Sequence, residues 1–285
     1  MRYERPDSLE RASSMMVAET GLTRILAGGT DVLVQMKSEV VEPDLIVDVK
    51  HLAGMRDITP ENGGFRIGAG VSGAALNEHK GVCAMWPGVA EALDLIGSTQ
   101  VQGRATMIGN LCNGSPAADS VPALFAADAV VRIHGTGGVR EVSVTEIPKG
   151  PGKTSLEPGD IISSVFLPAR PERSADAYLR FIPRTEMDIA VASAGVSLTL
   201  DADGIVTAAR VAVGAVAPTV LLVAPAAEAL VGSRLEDSAL EALKAAVEAA
   251  CNPIDDKRGT VAFRTSTAGV LAVRAAKTAR DRAQG

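Results

Sequence analysis

Residues 105–119 read ATMIGNLCNGSPAAD, a stretch in which glycine, hydroxyl and amide side chains follow closely on one another. A second stretch of the same kind, LAGGTD at residues 26–31, lies about eighty residues earlier. Because glycine has no Cβ and tolerates positive φ, such loops let backbone N–H groups approach a diphosphate closely. Two ordinary turns are the alternative, and they explain either stretch taken alone. Both stretches together indicate a long cofactor that is held at two points.

The composition narrows the class of protein. A chain of 285 residues predicts two or three compact units. Hydrophobic residues make up 47% and aromatic residues only 3%, so we expect a core of Ala, Val, Leu and Ile and no platform for stacking bases. The net charge of −6 argues against general binding of nucleic acid.

The cysteines predict a reducing compartment and no metal centre on this chain. Cys83, Cys112 and Cys251 are widely separated and odd in number, which fits neither a disulfide framework nor a four-cysteine cluster. The three histidines are equally scattered. No run approaches the ~18 apolar residues of a membrane span, and the first residues have no apolar signal core. We therefore expect a cytoplasmic protein without a membrane span.

The pattern of the chain predicts an α+β protein of three parts, with boundaries at 1–57, 58–172 and 176–285. In the first part, Ser8 is expected to cap a helix, the strand 23–26 leads into the LAGGTD loop, and a helix covers 31–37. In the second part, strands are expected at 65–69, 130–134, 139–144 and 161–167, and Lys149–Pro158 is expected to be a mobile loop.

The third part is predicted to contain one sheet followed by helices. Residues 178–182, 192–200 and 205–215 indicate three antiparallel strands, with a hairpin turn at Asp201–Gly204. Helices are expected at 226–230, 235–251 and 260–282. Strands followed by helices within one segment indicate an α+β domain.

Taken together, these segments resemble the FAD-binding medium subunit of molybdenum hydroxylases, the carbon monoxide dehydrogenase and xanthine dehydrogenase family. The resemblance extends over nearly the whole chain. Its motifs are LAGGTD with Met36-Lys37, PDLIVD at 43–48, the stretch 100–119 with SPAAD as its most specific part, the segment 184–190, and the segment 255–264. The resemblance implies two α/β subdomains that form an FAD-binding domain of the PCMH type, followed by the C-terminal domain.

The resemblance also implies FAD-binding roles for individual residues. Thr106, Gly109 and Asn110 would bind the pyrophosphate and the ribityl chain, and Asp119 a sugar hydroxyl or a neighbouring amide. Ile162 would lie against the isoalloxazine, and Arg180 stands where the family has a lysine near the ring, so its charge would stabilise reduced, anionic flavin. Backbone N–H groups of the first loop would bind the pyrophosphate, at Ala27, Gly28, Gly29, Thr30 (with its hydroxyl), Asp31 and Val32. A side chain at Gly28 is expected to fill the space of the diphosphate with little effect on the fold.

Simpler structural roles are open for four of these residues. Asp119 and Thr30 are each candidates to cap the helix that follows. Arg180 has the alternative of an exposed strand position, and Ile162 that of an ordinary core residue. One departure from the family pattern also matters. Ile108 replaces the first glycine of the Gly-Gly pair before Asn110, which is costly if that position needs positive φ.

The implied function is an electron-transfer subunit with no catalytic acid or base of its own. Molybdenum cofactor would sit on a large partner and [2Fe–2S] clusters on a small one, in a dimer of three-subunit units. Electrons would leave through FAD to NAD⁺, a quinone or oxygen. Two alternatives are a free-standing FAD-dependent oxidoreductase and a degenerate assembly subunit that no longer binds flavin.

Overall fold

Three β-sheets organise the chain in the computed structural model, which describes all residues from 1 to 285. A small two-stranded hairpin accompanies them. The strands are β1 Arg2–Glu4, β2 Thr23–Leu26, β3 Leu45–Asp48, β4 Ile58–Glu61, β5 Gly64–Gly68, β6 Val130–Gly135, β7 Gly138–Ser143, β8 Pro148–Gly150, β9 Lys153–Thr154, β10 Ile161–Leu167, β11 Ser174–Phe181, β12 Ala192–Leu200, β13 Val206–Gly214 and β14 Leu221–Leu222.

Most of the helices are short, and the two longest lie near the C-terminal end. In the structure, no helix combines the length and the apolar character that crossing a bilayer requires. The helices are α1 Leu9–Ala18, α2 Val32–Lys37, α3 Gly73–Asn77, α4 Lys80–Met85, α5 Pro87–Asp94, α6 Thr99–Gln102, α7 Met107–Cys112, α8 Ser120–Ala126, α9 Ala224–Glu228, α10 Asp237–Ala250 and α11 Val261–Gln284, with a 3₁₀ turn at Val144–Glu146.

The first sheet is parallel, with β3 between β1 and β2. All four residues of β3 are buried, as expected for a central parallel strand covered on both faces. Ser8 caps α1 as predicted, because its hydroxyl accepts a hydrogen bond from the backbone N–H of Arg11. β2 is an edge strand of this sheet, so the loop that follows it begins at the sheet's edge.

The second sheet is antiparallel and is built around β10, in the order β4-β5-β10-β6-β7. β10 pairs with β5 on one side and with β6 on the other, so the last of its strands in the sequence is central in space. Six of the seven β10 residues are buried. The strands predicted at 65–69, 130–134, 139–144 and 161–167 are confirmed within one residue at each end.

The third sheet has four antiparallel strands rather than the three predicted. The additional strand, β14, is only two residues long and pairs with Ala212 and Val213 of β13. A strand of this length has no hydrophobic period, so the sequence pattern had no means of indicating it. α11 covers this sheet with small buried side chains, including Ala268, Ala272 and Ala275, which allow close packing.

Two hydrophobic cores result from this arrangement. The first contains Leu45 and Val47 of the parallel sheet together with Ile67 and Val131 of the five-stranded sheet, so these two sheets share one interior. The second core lies between the four-stranded sheet and the C-terminal helices. α8 is buried along its whole length and contacts β12 and β13, which joins the two halves of the chain.

Candidate functional site

Residues of both loops line a cleft of about 740 Å³, a size typical of small-molecule and cofactor sites. Its walls come from the end of β2, the start of α2, α7, β10 and the segment 152–160. Ten of the twelve predicted cofactor-binding residues line it: Ala27, Gly28, Gly29, Thr30, Asp31, Val32, Thr106, Gly109, Asn110 and Ile162. The structure thus brings together the two loops that the sequence marks.

The first loop presents a row of unused donors. None of the backbone N–H groups from Ala27 to Val32 donates a hydrogen bond to another group of the protein. Gly29 has a φ of 80°, which glycine adopts without strain and which turns the chain from β2 towards α2. The alternative role of Thr30 as a helix cap is wrong, because the residue before α2 is Asp31.

The second loop is in part a helix. Thr106 precedes α7 and caps it, since its Oγ1 accepts a hydrogen bond from the N–H of Gly109 at 3.0 Å. Ile108 lies inside this helix and has no positive φ, so its backbone does not require glycine. The helix was not predicted because six residues are too few to show a 3.6-residue period.

Gly28 brings the two loops into contact at the backbone. A Cβ at Gly28 would lie 2.1 Å from the carbonyl oxygen of Arg104 and 3.2 Å from the Cα of Ala105. The expectation that a side chain here would disturb the ligand but spare the fold is therefore wrong. A substitution would first push the two loops apart.

Asn110 links α7 to α8. Its Oδ1 accepts hydrogen bonds from the backbone N–H and the hydroxyl of Ser120, at 3.1 and 2.7 Å. The other amide atom, Nδ2, makes no hydrogen bond within the protein and remains a donor for a ligand in the cleft.

A third segment, residues 152–160, also lines the cleft and was not predicted as part of the site. Part of the predicted mobile loop forms the β8–β9 hairpin, and the N–H of Gly152 donates to the carbonyl oxygen of Gly114 at 2.9 Å. Its other end is held by Asp160, which binds the Arg140 guanidinium through both oxygens at 2.9 and 2.5 Å. Burial opposes ionisation of Asp160, but the hydrogen bonds from Arg140 lower its pKa overall. The Gly and Pro residues of this segment indicate a connection, without indicating what it covers.

Asp119 and Arg180 lie outside the lining of the cleft and bind each other. An Arg180 guanidinium nitrogen lies 2.6 Å from Asp119 Oδ2, and the Tyr178 hydroxyl donates to Oδ1 at 2.8 Å. Burial raises the pKa of Asp119 to about 6, although Arg180 and Tyr178 oppose that rise. The two simpler roles are wrong: Asp119 makes no capping bond to α8, and only 5% of the Arg180 side chain is exposed.

Ile162 combines both of the roles considered for it. It is 4% exposed and belongs to the first core, and it also lines the cleft. Ala69, Ile96 and Ile108, which were not predicted as site residues, add to the apolar lining.

These features fit FAD. The row of free backbone N–H groups and the Asn110 amide supply donors of the kind that bind a diphosphate and sugar hydroxyls. Ile162 and its apolar neighbours supply a surface for a flat ring system. The close approach of the loops at Gly28 keeps these donors on the wall of one cleft.

Comparisons with known proteins agree with this fit. Residues 1–170 match the family described as the FAD binding domain in molybdopterin dehydrogenase, and residues 177–279 match the CO dehydrogenase flavoprotein C-terminal domain. The chain is 33% identical over 264 residues to a xanthine dehydrogenase FAD-binding subunit of Escherichia coli O157:H7, covering 92% of this chain and 90% of that one.

Two further comparisons show that the similarity covers the full length of the chain and its fold. The carbon monoxide dehydrogenase medium chain of Afipia carboxidovorans is 31% identical over 282 residues, which cover 99% of this chain and 97% of that chain. The structure of reconstituted CO dehydrogenase from Oligotropha carboxidovorans matches with a TM-score of 0.94 at 31% identity, covering 99% of this chain and 98% of that one. The chain therefore belongs to the FAD-binding medium subunits of the molybdenum hydroxylases, the oxidoreductase family of carbon monoxide and xanthine dehydrogenases.

Proposed function

We propose that this chain is the electron-transfer subunit of a molybdenum hydroxylase and binds FAD in the cleft. Electrons would pass from the [2Fe–2S] clusters of a small partner subunit to this FAD, and from FAD to an external acceptor. The observation that carries the proposal is the row of backbone N–H groups from Ala27 to Val32 that donate no hydrogen bond within the protein, on residues that line the cleft together with α7. FAD supplies the redox chemistry when bound, and the protein supplies position and electrostatics.

The residues divide this task. The first loop binds the pyrophosphate through its backbone N–H groups, and Asn110 binds the adjoining part of the cofactor through Nδ2. Ile162 excludes water from one side of the flavin ring. Asp119 and Arg180 act from outside the lining of the cleft, where their buried ion pair fixes the Arg180 guanidinium relative to α8. No side chain of the cleft is required to act as a general acid or base.

Membership of this family supports a proposal for the assembly. Subunits named medium chain imply larger and smaller partners, and we propose a large molybdenum-cofactor subunit and a small iron–sulfur subunit in a dimer of heterotrimers. We assign residues 1–57 and 58–172 to the two halves of the FAD-binding unit and 176–285 to the C-terminal domain. The complex acts in the cytoplasm, with NAD⁺, a quinone or oxygen as acceptor.

Purification of the tagged chain from its native host tests this proposal. We expect a flavin spectrum, FAD that is released by acid, and molybdenum and iron in two chains that copurify with it. Flavin bound to the chain alone, with turnover in the absence of partners, would favour a free-standing oxidoreductase. No flavin, even after FAD is added, would identify a subunit that serves assembly only.

A further inference from the structure

Asn113 bridges the two loops of the cleft through its side-chain amide. Its Nδ2 donates to Asp31 Oδ1 at 3.1 Å, and its Oδ1 accepts from Gln35 Nε2 at 3.2 Å. The ionised carboxylate of Asp31 only accepts hydrogen bonds, so the nitrogen of the Asn113 amide must point towards it. The orientation of the amide is therefore set by its neighbours.

The bridge joins elements that are remote in sequence. Asp31 directly precedes α2, Gln35 lies one turn later on the same face of that helix, and Asn113 directly follows α7. All three residues line the cleft. Together with the backbone contact between Gly28 and Arg104, the bridge sets the distance between the loops at a second point.

The hydrogen bond from Asn113 also determines the position of the Asp31 carboxylate. An aspartate directly before a helix ordinarily accepts a hydrogen bond from a backbone N–H of the first turn. Asp31 makes no such bond: its backbone is helical, with φ −96° and ψ −54°, the N–H of Leu33 donates to the carbonyl oxygen of Gly29, and the Asp31 carboxylate accepts from Asn113 instead. If the bridge were absent, the carboxylate would be free to turn to the unused N–H groups of the loop. There it would compete with a diphosphate for donors and repel its charge.

We propose that Asn113 is a positioning residue for FAD, which holds Asp31 against the second loop and so keeps the donors of the first loop open. The inference rests on the proposed binding of FAD between these loops. Asn113 acts through Asp31 and does not itself need to touch the cofactor.

The first test is the affinity of the full-length chain for FAD, measured by quenching of flavin fluorescence. We expect Asn113→Ala to bind FAD about tenfold more weakly, the size that corresponds to one hydrogen bond to a charged group. Asn77→Ala is the matched control, because Asn77 Nδ2 donates to Asp94 Oδ1 at the same 3.1 Å but lies off the cleft. The melting temperatures of both variants without FAD should agree.

The same substitution made in an Asp31→Ala variant separates the positioning role of Asn113 from a merely structural role. In Asp31→Ala, where no carboxylate remains to be held, the replacement of Asn113 by alanine should change the affinity less than about twofold. A tenfold loss that persists in this background would overturn the proposal, as would an Asn113→Ala single variant that binds FAD like the unchanged chain. Failure of the unchanged chain to bind any FAD would overturn the proposed function as well, so the two failures are distinguishable.

Discussion

Arg180 lies 2.6 Å from Asp119, and this buried ion pair joins the first strand of the C-terminal sheet to the start of α8 in the FAD-binding half. The Tyr178 hydroxyl binds the same carboxylate from the next but one position of β11. The pair thus fixes the Arg180 guanidinium, with the Asp119 carboxylate as its counter-charge, at a defined place between the two halves of the chain. Burial in this pair makes the Asp119 carboxylate harder to ionise and raises its pKa to about 6.

The raised pKa of Asp119 predicts a pH dependence of stability. Below the unfolded-state pKa near 3.8, Asp119 is protonated in both states; between that value and about 6 only the folded state keeps the proton. The contribution of Asp119 to the free energy of unfolding therefore falls as pH rises through this window, by roughly 3 kcal/mol at most. We expect the difference in unfolding free energy between the unchanged chain and Asp119→Asn to decrease from pH 4 to pH 7 in urea titrations. A difference that is constant over this range would contradict the assignment.

Gly28→Ala should weaken both the fold and FAD binding. The new Cβ would meet the Arg104 carbonyl oxygen, and relieving such an overlap costs about 1–3 kcal/mol. The melting temperature of the chain without FAD and its affinity for FAD should fall together. Gly137→Ala is the control, because a Cβ at Gly137 meets no atom within 4 Å. Weaker FAD binding at an unchanged melting temperature would indicate that the space at Gly28 belongs to the ligand after all.

Asn110→Asp should separate FAD binding from stability. Aspartate retains an oxygen that accepts both hydrogen bonds from Ser120, so the melting temperature should change little. It loses the Nδ2 donor and places a negative charge beside the diphosphate, so we expect FAD affinity to fall by at least about tenfold. Asn110→Ala, by comparison, should lose stability as well. Equal FAD affinity in Asn110→Asp and the unchanged chain would remove Asn110 from the binding site.

Arg140→Gln should loosen the segment 152–160. Asp160 has only 5% of its side chain exposed and would lose both bonds from the guanidinium. Trypsin should therefore cleave after Lys153 several-fold faster, as followed by mass spectrometry. Arg280→Gln, which removes an exposed pair with Asp281, serves as the control. Since the folded-state pKa of Asp160 is lowered, the ion pair contributes its full stability above the ordinary pKa of about 3.8 and loses it as pH falls through the lower folded-state pKa, so the trypsin comparison belongs at neutral pH. Identical cleavage of Arg140→Gln and the unchanged chain would show that the ion pair does not hold the segment.

The features of the fold that the sequence predicted are those with a local cause. Ser8 predicts the start of α1, and the apolar run of β10 predicts a strand. Both signals are local, because capping and hydrophobic patterning act within a few residues. β14 and α7 were missed, since two and six residues are too short for such a pattern.

The features of the site that could not be predicted depend on residues distant in sequence. The clash that excludes a side chain at Gly28 comes from Arg104, and the partner that buries Asp119 is Arg180. The part of segment 152–160 in the cleft wall is fixed by Arg140 of another strand. The glycine pattern located the two loops and the resemblance to a family supplied roles for their residues, but only the packed chain shows what holds the loops.

The central position of β10 has a consequence for the order of events during synthesis. β5 and β6 do not pair with each other: β5 pairs with β4 and β6 with β7, and only β10 joins these two strand pairs into one sheet. On the ribosome, the five-stranded sheet therefore stays incomplete until this late strand has emerged, and Ile162 of the cleft arrives with it. Cofactor loading must follow translation of the whole first half of the chain, and a fragment that stops before residue 161 should neither fold nor retain flavin.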